Sequence, residues 1–190
     1  MIDPFDITIA ASGGDITGAT IANALQTTNV TLTTNGTNFG VNLTPSTGTN
    51  GDIFINDSIV VPGLINNANR WLTFSAARNI ILAAGKSIDA TQNSNTQKLN
   101  VYFTSNNDSS SASGTNAAKE GAIQLKSGSS IKSNGGWVQL CGAGSDGCGY
   151  AYGSQSGSNL NYGILIDGAT IDSKGGGILM QGAGWQTSPV

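Results

Sequence analysis

The segment GSSIKSNGGWVQLCGAG, residues 128–144, recurs 40 residues later as GATIDSKGGGILMQGAG, residues 168–184. The two segments align over 17 residues without a gap, and the alignment superposes Ile131 on Ile171, the double glycines and the Gly-Ala-Gly ends. A chain rich in Gly and Ser contains many short self-matches by chance. An ungapped register that keeps its apolar positions instead indicates a structural repeat.

A looser copy of the same unit lies upstream. The stretch WLTFSAARNIIL, residues 71–82, aligns with the second half of the unit and places Trp71 on Trp137. The stretch NIILAAGKSIDAT, residues 79–91, aligns in turn with AIQLKSGSSIKS, residues 122–133. The repeat therefore extends over much of the chain.

Each unit has the same internal order: a short alternating strand, a Gly turn, an isolated inward Ile, a double-Gly turn and a second strand. Alternation with a period of two buries only one face of a strand, and glycine permits the sharp corners between strands. A unit this thin cannot enclose its own apolar face, so it must stack on neighbouring units. The sequence predicts an all-β fold in which successive turns pair in parallel as a β-helix.

The predicted elements follow from this pattern. The alternation predicts strands over residues 6–9, 29–34, 52–61, 71–76, 79–83, 99–104, 122–126, 137–141, 163–167 and 177–181. One short helix, outside the coil and near residues 18–27, is predicted from TGATIANALQTTN, with Thr17 as its cap. An irregular loop is the alternative reading of that stretch.

We expect residues 1–190 to form a single β-helix segment of a longer protein, because both ends interrupt a strand pattern. Three stretches without strand alternation are expected to be loops extruded from the coil, namely residues 90–97, 105–121 and 145–160.

Composition narrows the possible functions. Charged residues make up only 10% of the chain, the net charge is −3, and no basic stripe occurs, which argues against nucleic acid as a partner. No apolar run is long enough to span a membrane. Histidine is absent and Glu120 is the only glutamate, so the commonest general base and the commonest metal ligand are missing.

The only two cysteines, Cys141 and Cys148, are separated by six residues in a Gly-rich stretch. A structural metal site needs four ligands, and the sequence offers no His or further Cys to complete one. A redox pair usually has the C-x-x-C spacing. We predict a disulfide between Cys141 and Cys148, with two free thiols as the alternative.

Paired carboxylates raise the question of catalysis, because β-helical folds also host polysaccharide lyases and hydrolases. Asp52 and Asp57 share one repeat, and Asp167 and Asp172 share another. A spacing of five residues places the members of each pair on different sides of the unit. We therefore expect no catalytic residues, no cofactor, no metal and no enzymatic activity, with a polysaccharide-active enzyme as the alternative.

At this point the sequence resembles a known family. The segments IDPFDITI (2–9), NVTLTT (29–34), GDIFINDSI (51–59), LTFSAARNIIL (72–82) and SIDA (87–90) follow one another as in filamentous-haemagglutinin-like exoproteins of the two-partner secretion pathway. The resemblance covers about residues 2–104 and extends to the rest of the chain by repeat style only. Its motifs are architectural rather than catalytic.

The resemblance implies a right-handed parallel β-helix at the surface of a Gram-negative bacterium. The parent protein would be secreted through a dedicated outer-membrane transporter barrel and would act as an adhesin or virulence factor. Its expected partner is a glycan or protein receptor on a host or bacterial surface. A haem- or host-protein-capture exoprotein, contacting its partner through residues 105–121, is a further alternative.

Two sets of surface residues are candidates for ligand contact or modification. Tyr150, Tyr152 and Trp185 could stack against a sugar, and ordinary loop packing is the alternative. Some members of the family are glycosylated at Asn-x-Ser/Thr triplets. Such triplets begin at Asn29, Asn35, Asn42, Asn56 and Asn107.

Overall fold

The computed structural model describes residues 6–34, 51–64, 68–93, 97–107, 121–144, 147–153 and 160–184. Over these residues the chain is mostly β-strand, arranged in parallel sheets, and a single α-helix accompanies them. The predicted all-β class with parallel pairing is confirmed.

Three sheets contain most of the strands. Sheet 1 has the order β1 (Ile7–Ile9), β3 (Ile53–Ile55), β6 (Ile80–Leu82), β9 (Ile123–Leu125) and β13 (Ile164–Ile166). Sheet 2 has the order β4 (Ile59–Val60), β7 (Ser87–Asp89), β10 (Ser130–Lys132) and β14 (Thr170–Asp172). Sheet 3 has the order β2 (Val30–Thr33), β5 (Arg70–Ser75), β8 (Leu99–Ser105), β11 (Val138–Gly142) and β15 (Ile178–Met180).

The chain visits these sheets in a fixed order, sheet 1, then sheet 2, then sheet 3, and returns to sheet 1 for the next pass. Each return adds a strand parallel to, and beside, the strand of the preceding pass. The described residues form five passes, and the fourth and fifth add a short parallel pair, β12 (Ala151–Tyr152) and β16 (Gly182–Ala183). In the first pass a helix, α1 (Gly18–Leu25), takes the place of the sheet 2 strand.

The strand register matches the sequence repeat. In sheet 2, Ile131 is paired with Ile88 on one side and with Ile171 on the other, and Ile59 is paired with Ile88. These isoleucines are the isolated inward residues of the predicted unit, and all but Ile171 of the fifth pass are fully buried. The sequence predicted only an isolated isoleucine on this side of the unit, whereas in the structure each of these isoleucines belongs to a short strand of sheet 2.

One further strand boundary differs from the prediction. The expected strand over residues 52–61 is divided into β3 and β4. In the turn between them, the Asp57 carboxylate accepts hydrogen bonds from the Ser58 and Gly18 backbone N–H groups, both at 2.9 Å. The polar residues Asn56, Asp57 and Ser58 therefore mark a corner between two sheets.

The corner before sheet 3 has the same geometry in the fourth and fifth passes. The Ser133 hydroxyl donates to the Gly136 carbonyl at 2.7 Å, and Ser173 donates to Gly176 in the same way at 2.6 Å. The intervening Gly135 has a φ of +90°, in the region that favours glycine. Gly136 is needed for a different reason, since a Cβ there would overlap the Leu99 carbonyl of the preceding pass.

The core lies between the three sheets and consists mainly of inward-facing aliphatic side chains from the first four passes, and the partly buried Ile164 and Ile171 of the fifth pass pack against it. Phe74 and Phe103, which are adjacent on β5 and β8, pack edge to face with ring centroids 5.2 Å apart.

A row of hydrogen-bonded polar side chains runs along the corner before sheet 1. In it the Oδ1 atom of Asp6 accepts from the Asp52 N–H, Asp52 accepts from Asn79, and Asn79 accepts from Ala122, at 2.8–3.0 Å.

Helix α1, the short helix that the sequence predicted, lies over the first-pass end of the core. Thr17 is its N-cap and accepts from the Thr20 N–H at 3.1 Å, as expected. Ile21 and Leu25 are completely buried in the main core cluster. The first pass has no sheet 2 strand among the described residues. The apolar face of the helix therefore takes its place and covers the inward side chains of the second pass.

The two ends of the stack differ. Ile178 and Met180 of β15 are in register with the buried Val138 and Leu140, yet they are exposed. Ile166 of β13, paired with buried Leu125, is exposed as well. Their inward side chains lack a covering layer among the residues that the structure describes.

The predicted extruded loops are only partly described. In the stretch 90–97, Ala90, Asn93 and Gln97 are buried, and the Gln97 amide donates to the Leu64 carbonyl at 2.7 Å. In the stretch 145–160, strand β12 packs onto the fifth pass through β16. These described parts pack against the rest of the structure, and the extrusion of the three loops stays a prediction. Most of 105–121 lies outside the described residues.

Candidate functional site

Cys141 and Cys148 form the predicted disulfide, with their Cα atoms 5.3 Å apart. Cys141 lies on β11 and is completely buried, although its position faces away from the core. The segment that follows the disulfide covers it, because Gly142 and Gly149 exchange two backbone hydrogen bonds at 2.8 and 3.0 Å. The disulfide therefore fastens this segment to the end of β11.

The two aspartate pairs do not form acid/base sites. The Asp52 carboxylate is buried and accepts from Arg78 Nε at 2.8 Å and from the Asn79 amide at 3.1 Å. Its neighbour in sequence, Asp57, is bound to the backbone of the turn described above. The two carboxylates are therefore held by different partners, Asp52 by residues of the next pass and Asp57 by the turn and by Gly18 of the preceding pass.

The second pair has the same structural character. Asp172 accepts from the Lys174 backbone N–H at 2.9 Å and so closes a tight turn, while Asp167 lies exposed beyond β13. Among the described residues, three or more His, Cys, Asp or Glu side chains nowhere converge as a metal site would require. The converging carboxylates that a polysaccharide-active enzyme needs are not formed by these four aspartates.

The outward face of sheet 3 carries the most exposed aromatic surface of the β-sheets. Trp71 on β5 and Trp137, immediately before β11, occupy the same column, with Asn100 of β8 between them. The two indoles are 40% and 53% exposed. The side-chain oxygen of Asn100 accepts a hydrogen bond from the backbone N–H of Trp137 at 2.9 Å. The side-chain oxygen of Asn29 accepts one from the backbone N–H of Trp71 at 3.1 Å.

The indole of Trp137 lies across the adjacent strand position of the fifth pass. A Cβ added at Gly177 would approach the Cε3 and Cζ3 atoms of that indole at 2.8 Å. One face of the ring therefore rests on the Gly177 backbone, and the exposed part of the ring points away from the sheet. Sequence alignment had placed Trp137 opposite Gly177, but it could not indicate that the two residues touch.

The predicted ligand-contact residues lie elsewhere. Tyr150 and Tyr152 form a tilted pair with ring centroids 6.3 Å apart, and Tyr150 is exposed. Trp185 lies outside the described residues. Trp71 and Trp137 occupy equivalent positions in the aligned repeats, but they are not among the ligand contacts predicted from the sequence. The signal in the sequence is that both tryptophans align in the repeat and each precedes an inward-facing residue, Leu72 or Val138, so alternation places both on the outward face.

The candidate glycosylation sites differ in accessibility. Asn29 and Asn56 are exposed, and the acceptor nitrogen of Asn107 donates to the Ser75 carbonyl at 2.9 Å and to the Ser75 hydroxyl at 2.8 Å. Modification of Asn107 would break these bonds. Asn35 and Asn42 lie outside the described residues.

Two ionisable groups have displaced pKa values. Burial raises the pKa of Asp6 above its ordinary value of 3.8, and the nearby Asp52 carboxylate acts in the same direction. Burial also acts to raise the pKa of Asp89, but hydrogen bonds from Thr91 and the Lys132 ammonium outweigh it and lower that pKa below 3.8. Both groups belong to the scaffold.

Within the described ranges, the structure contains no helix with the length and apolar character needed to cross a membrane. Comparison of the chain with protein-family models, curated proteins and solved structures gave no match.

Proposed function

We propose that this chain is a right-handed parallel β-helical segment of a secreted bacterial surface exoprotein, where it provides reach and an adhesive surface rather than enzymatic turnover. The observation that carries the proposal is the order of the three parallel sheets. Each pass adds one strand to each sheet beside the strand of the previous pass. Parallel crossover connections are right-handed in about 98% of cases, which favours that hand for the coil.

The disulfide supports the location outside the cell. Disulfides persist in secreted and surface proteins and are rare in the reducing cytosol. Here the bond between Cys141 and Cys148 is formed, and the buried Cys141 sulfur is sealed under the segment that it fastens. A bacterial exoprotein, exported by an outer-membrane transporter, meets the oxidising conditions that this bond requires.

The surface chemistry supports adhesion over catalysis. Asp52 and Asp57 are engaged in separate structural bonds, whereas two large aromatic rings are displayed on the outward face of sheet 3. Exposed aromatic side chains of this kind are typical binding groups, because they offer a large contact area at low conformational cost. A receptor on a host or bacterial surface is the proposed partner.

Adhesion is tested with beads that carry the purified chain. We expect such beads to be retained on epithelial or bacterial cell layers, and beads carrying the same chain after reduction and unfolding to be washed away. Equal retention of the two preparations would contradict the adhesive function. Release of reducing ends from a polysaccharide panel by the purified chain would favour the enzyme alternative.

The hand of the coil is tested by an experimentally determined structure. We expect passes that rise in a right-handed sense, with Ile59, Ile88, Ile131 and Ile171 stacked along one side. A left-handed rise or antiparallel pairing between neighbouring passes would refute the proposed architecture.

A further inference from the structure

The outward face of sheet 3 shows an arrangement that folding alone does not require. Trp71 and Trp137 share one column of the sheet, yet the same column is occupied by Asn29, Asn100 and Gly177 in the other passes. The scaffold therefore tolerates small and polar residues at this position. An aromatic ring that is about half exposed at such a position is available for binding.

The spacing of the two tryptophans follows from the parallel register. They lie two strands apart, which corresponds to about 9.6 Å between their Cα atoms. Tyr102 projects from the intervening strand two residues further along, on the same face. Two indoles and a phenol thus lie on one face of the sheet, far enough apart for neighbouring units of a chain-like ligand.

The groups between the rings are polar but carry no charge. The outward side chains around the tryptophans belong to Thr73, Asn100, Tyr102 and Gln139. The nearest cation along β8 is Lys98, whose stem lies at the Gly135 corner. An uncharged face with separated rings does not match an acidic ligand, and it lacks the continuous apolar patch that a stable protein interface requires.

We propose that this surface, defined by Trp71, Tyr102 and Trp137, binds a neutral oligosaccharide. Pyranose rings present C–H groups on one face and hydroxyl groups at the rim, so they stack on indoles and hydrogen-bond to hydroxyl groups such as those of Thr73 and Tyr102. The inference deepens the adhesive function proposed above and rests on it. It names the class of receptor as an uncharged glycan.

The rings are held ready for this contact before a ligand arrives. The Trp137 backbone is fixed by the Asn100 side chain, and one face of its indole rests on Gly177. Gln139, two residues further on, donates to the Gly147 carbonyl at 3.0 Å and so connects the surface to the segment fastened by the disulfide. A surface that is already ordered loses little side-chain freedom on binding.

The test is calorimetric titration of the full chain with cellohexaose, maltohexaose and chitohexaose, with hexagalacturonate as an acidic comparison. We expect at least one neutral hexaose to bind, and Trp71→Ala and Trp137→Ala each to raise its Kd about tenfold. The matched control is Tyr162→Ala, which removes an aromatic ring 57% exposed outside this face and should leave the Kd unchanged.

A second variant tests the surface with both tryptophans retained. Gly177→Ala displaces the Trp137 indole, so we expect it to weaken binding of the same hexaose, with the far-ultraviolet circular dichroism spectrum unchanged. Binding of none of the neutral hexaoses overturns the proposal, as does neutral binding that survives both tryptophan substitutions, or binding restricted to hexagalacturonate.

The bead assay separates this inference from the function on which it rests. If coated beads adhere to cells but the chain binds no neutral hexaose, the glycan inference is overturned and the adhesive function stands. If the chain binds no neutral hexaose and beads carrying the folded chain do not adhere to cells, the glycan inference and the adhesive function are both overturned.

Discussion

At the scale of single residues, the fold depends on a few positions where neighbouring passes come into backbone contact. Gly136 is such a position, because a Cβ there would overlap the Leu99 carbonyl, and Gly176 repeats the contact against Gly136 itself. Both glycines are visible in the aligned repeats, but the alignment does not reveal which glycine turns the chain and which one permits close approach.

We expect Gly136→Ala to destabilise the protein by about 1–3 kcal/mol, because the added methyl group forces two passes apart. The measurement is the urea midpoint of unfolding. Gly184→Ala serves as the control, since a Cβ there would meet its nearest neighbour at an ordinary 3.7 Å. Equal midpoints for the two variants would contradict the close-approach role of Gly136.

Two carboxylates predict pH dependence of opposite sign. The pKa of Asp6 is raised, so its contribution to stability is present at low pH and is lost as the pH rises through the folded-state pKa. The pKa of Asp89 is lowered, so its contribution is present above about pH 3.8 and is lost as the pH falls through the folded-state pKa.

The test compares Asp6→Asn and Asp89→Asn with the parent chain by urea unfolding between pH 3 and pH 7. Relative to the parent chain, Asp6→Asn should gain stability as the pH rises, because it removes the buried charge and retains the oxygen that accepts from the Asp52 N–H. Asp89→Asn should lose stability over the same rise. Parallel pH profiles for the two variants would refute the assignment.

At the scale of elements, helix α1 shows how much of an element a local prediction can give. Its cap and its apolar face are encoded within a few residues, so the helix was predictable. Its position over the core end depends on the absence of a sheet 2 strand in the first pass, which is a property of the assembled stack.

We expect Leu25→Ala to cost about 2–5 kcal/mol of stability, because Leu25 is fully buried where α1 covers the core. Asn23→Ala, on the exposed side of the same helix, is the control and should change stability by less than about 0.5 kcal/mol. Thermal unfolding of both variants checks the difference. A helix resting loosely outside the coil would give small losses for both.

The disulfide acts at the same scale. Reduction, or the double substitution Cys141→Ser with Cys148→Ser, should free the segment that covers β11 while the three sheets persist. The loop closed by this bond is short, so we expect a loss of about 2–3 kcal/mol at most. Limited proteolysis should then cut near residues 147–153 in the variant and not in the parent chain. Resistance in both would show that the segment is held without the disulfide.

At the scale of the whole molecule, the stack is strongest in its middle. Strands of the third and fourth passes have neighbours on both sides, whereas strands β13, β14 and β15 of the fifth pass have one neighbour each and exposed inward side chains. In stacked repeats, stability comes from each unit and its nearest neighbours.

Amide hydrogen exchange should therefore be slowest in β6, β8, β9 and β11 and fastest in β13, β14 and β15. Mass spectrometry of peptides from each pass measures the gradient. Uniform protection along the stack would indicate that a further layer covers the fifth pass.

The sequence by itself determined the repeat, the parallel columns of inward isoleucines and the disulfide. Alternation and glycine placement are local, and they act in the same way in each pass. Only the tertiary structure decided that α1 covers the core, that residues 147–153 pack against β11 and β16, and that Trp71 and Trp137 share one open surface. These three positions depend on which segments, distant in the sequence, pack against a given face of a sheet. The local alternation of apolar and polar residues specifies only which side chains point toward that face.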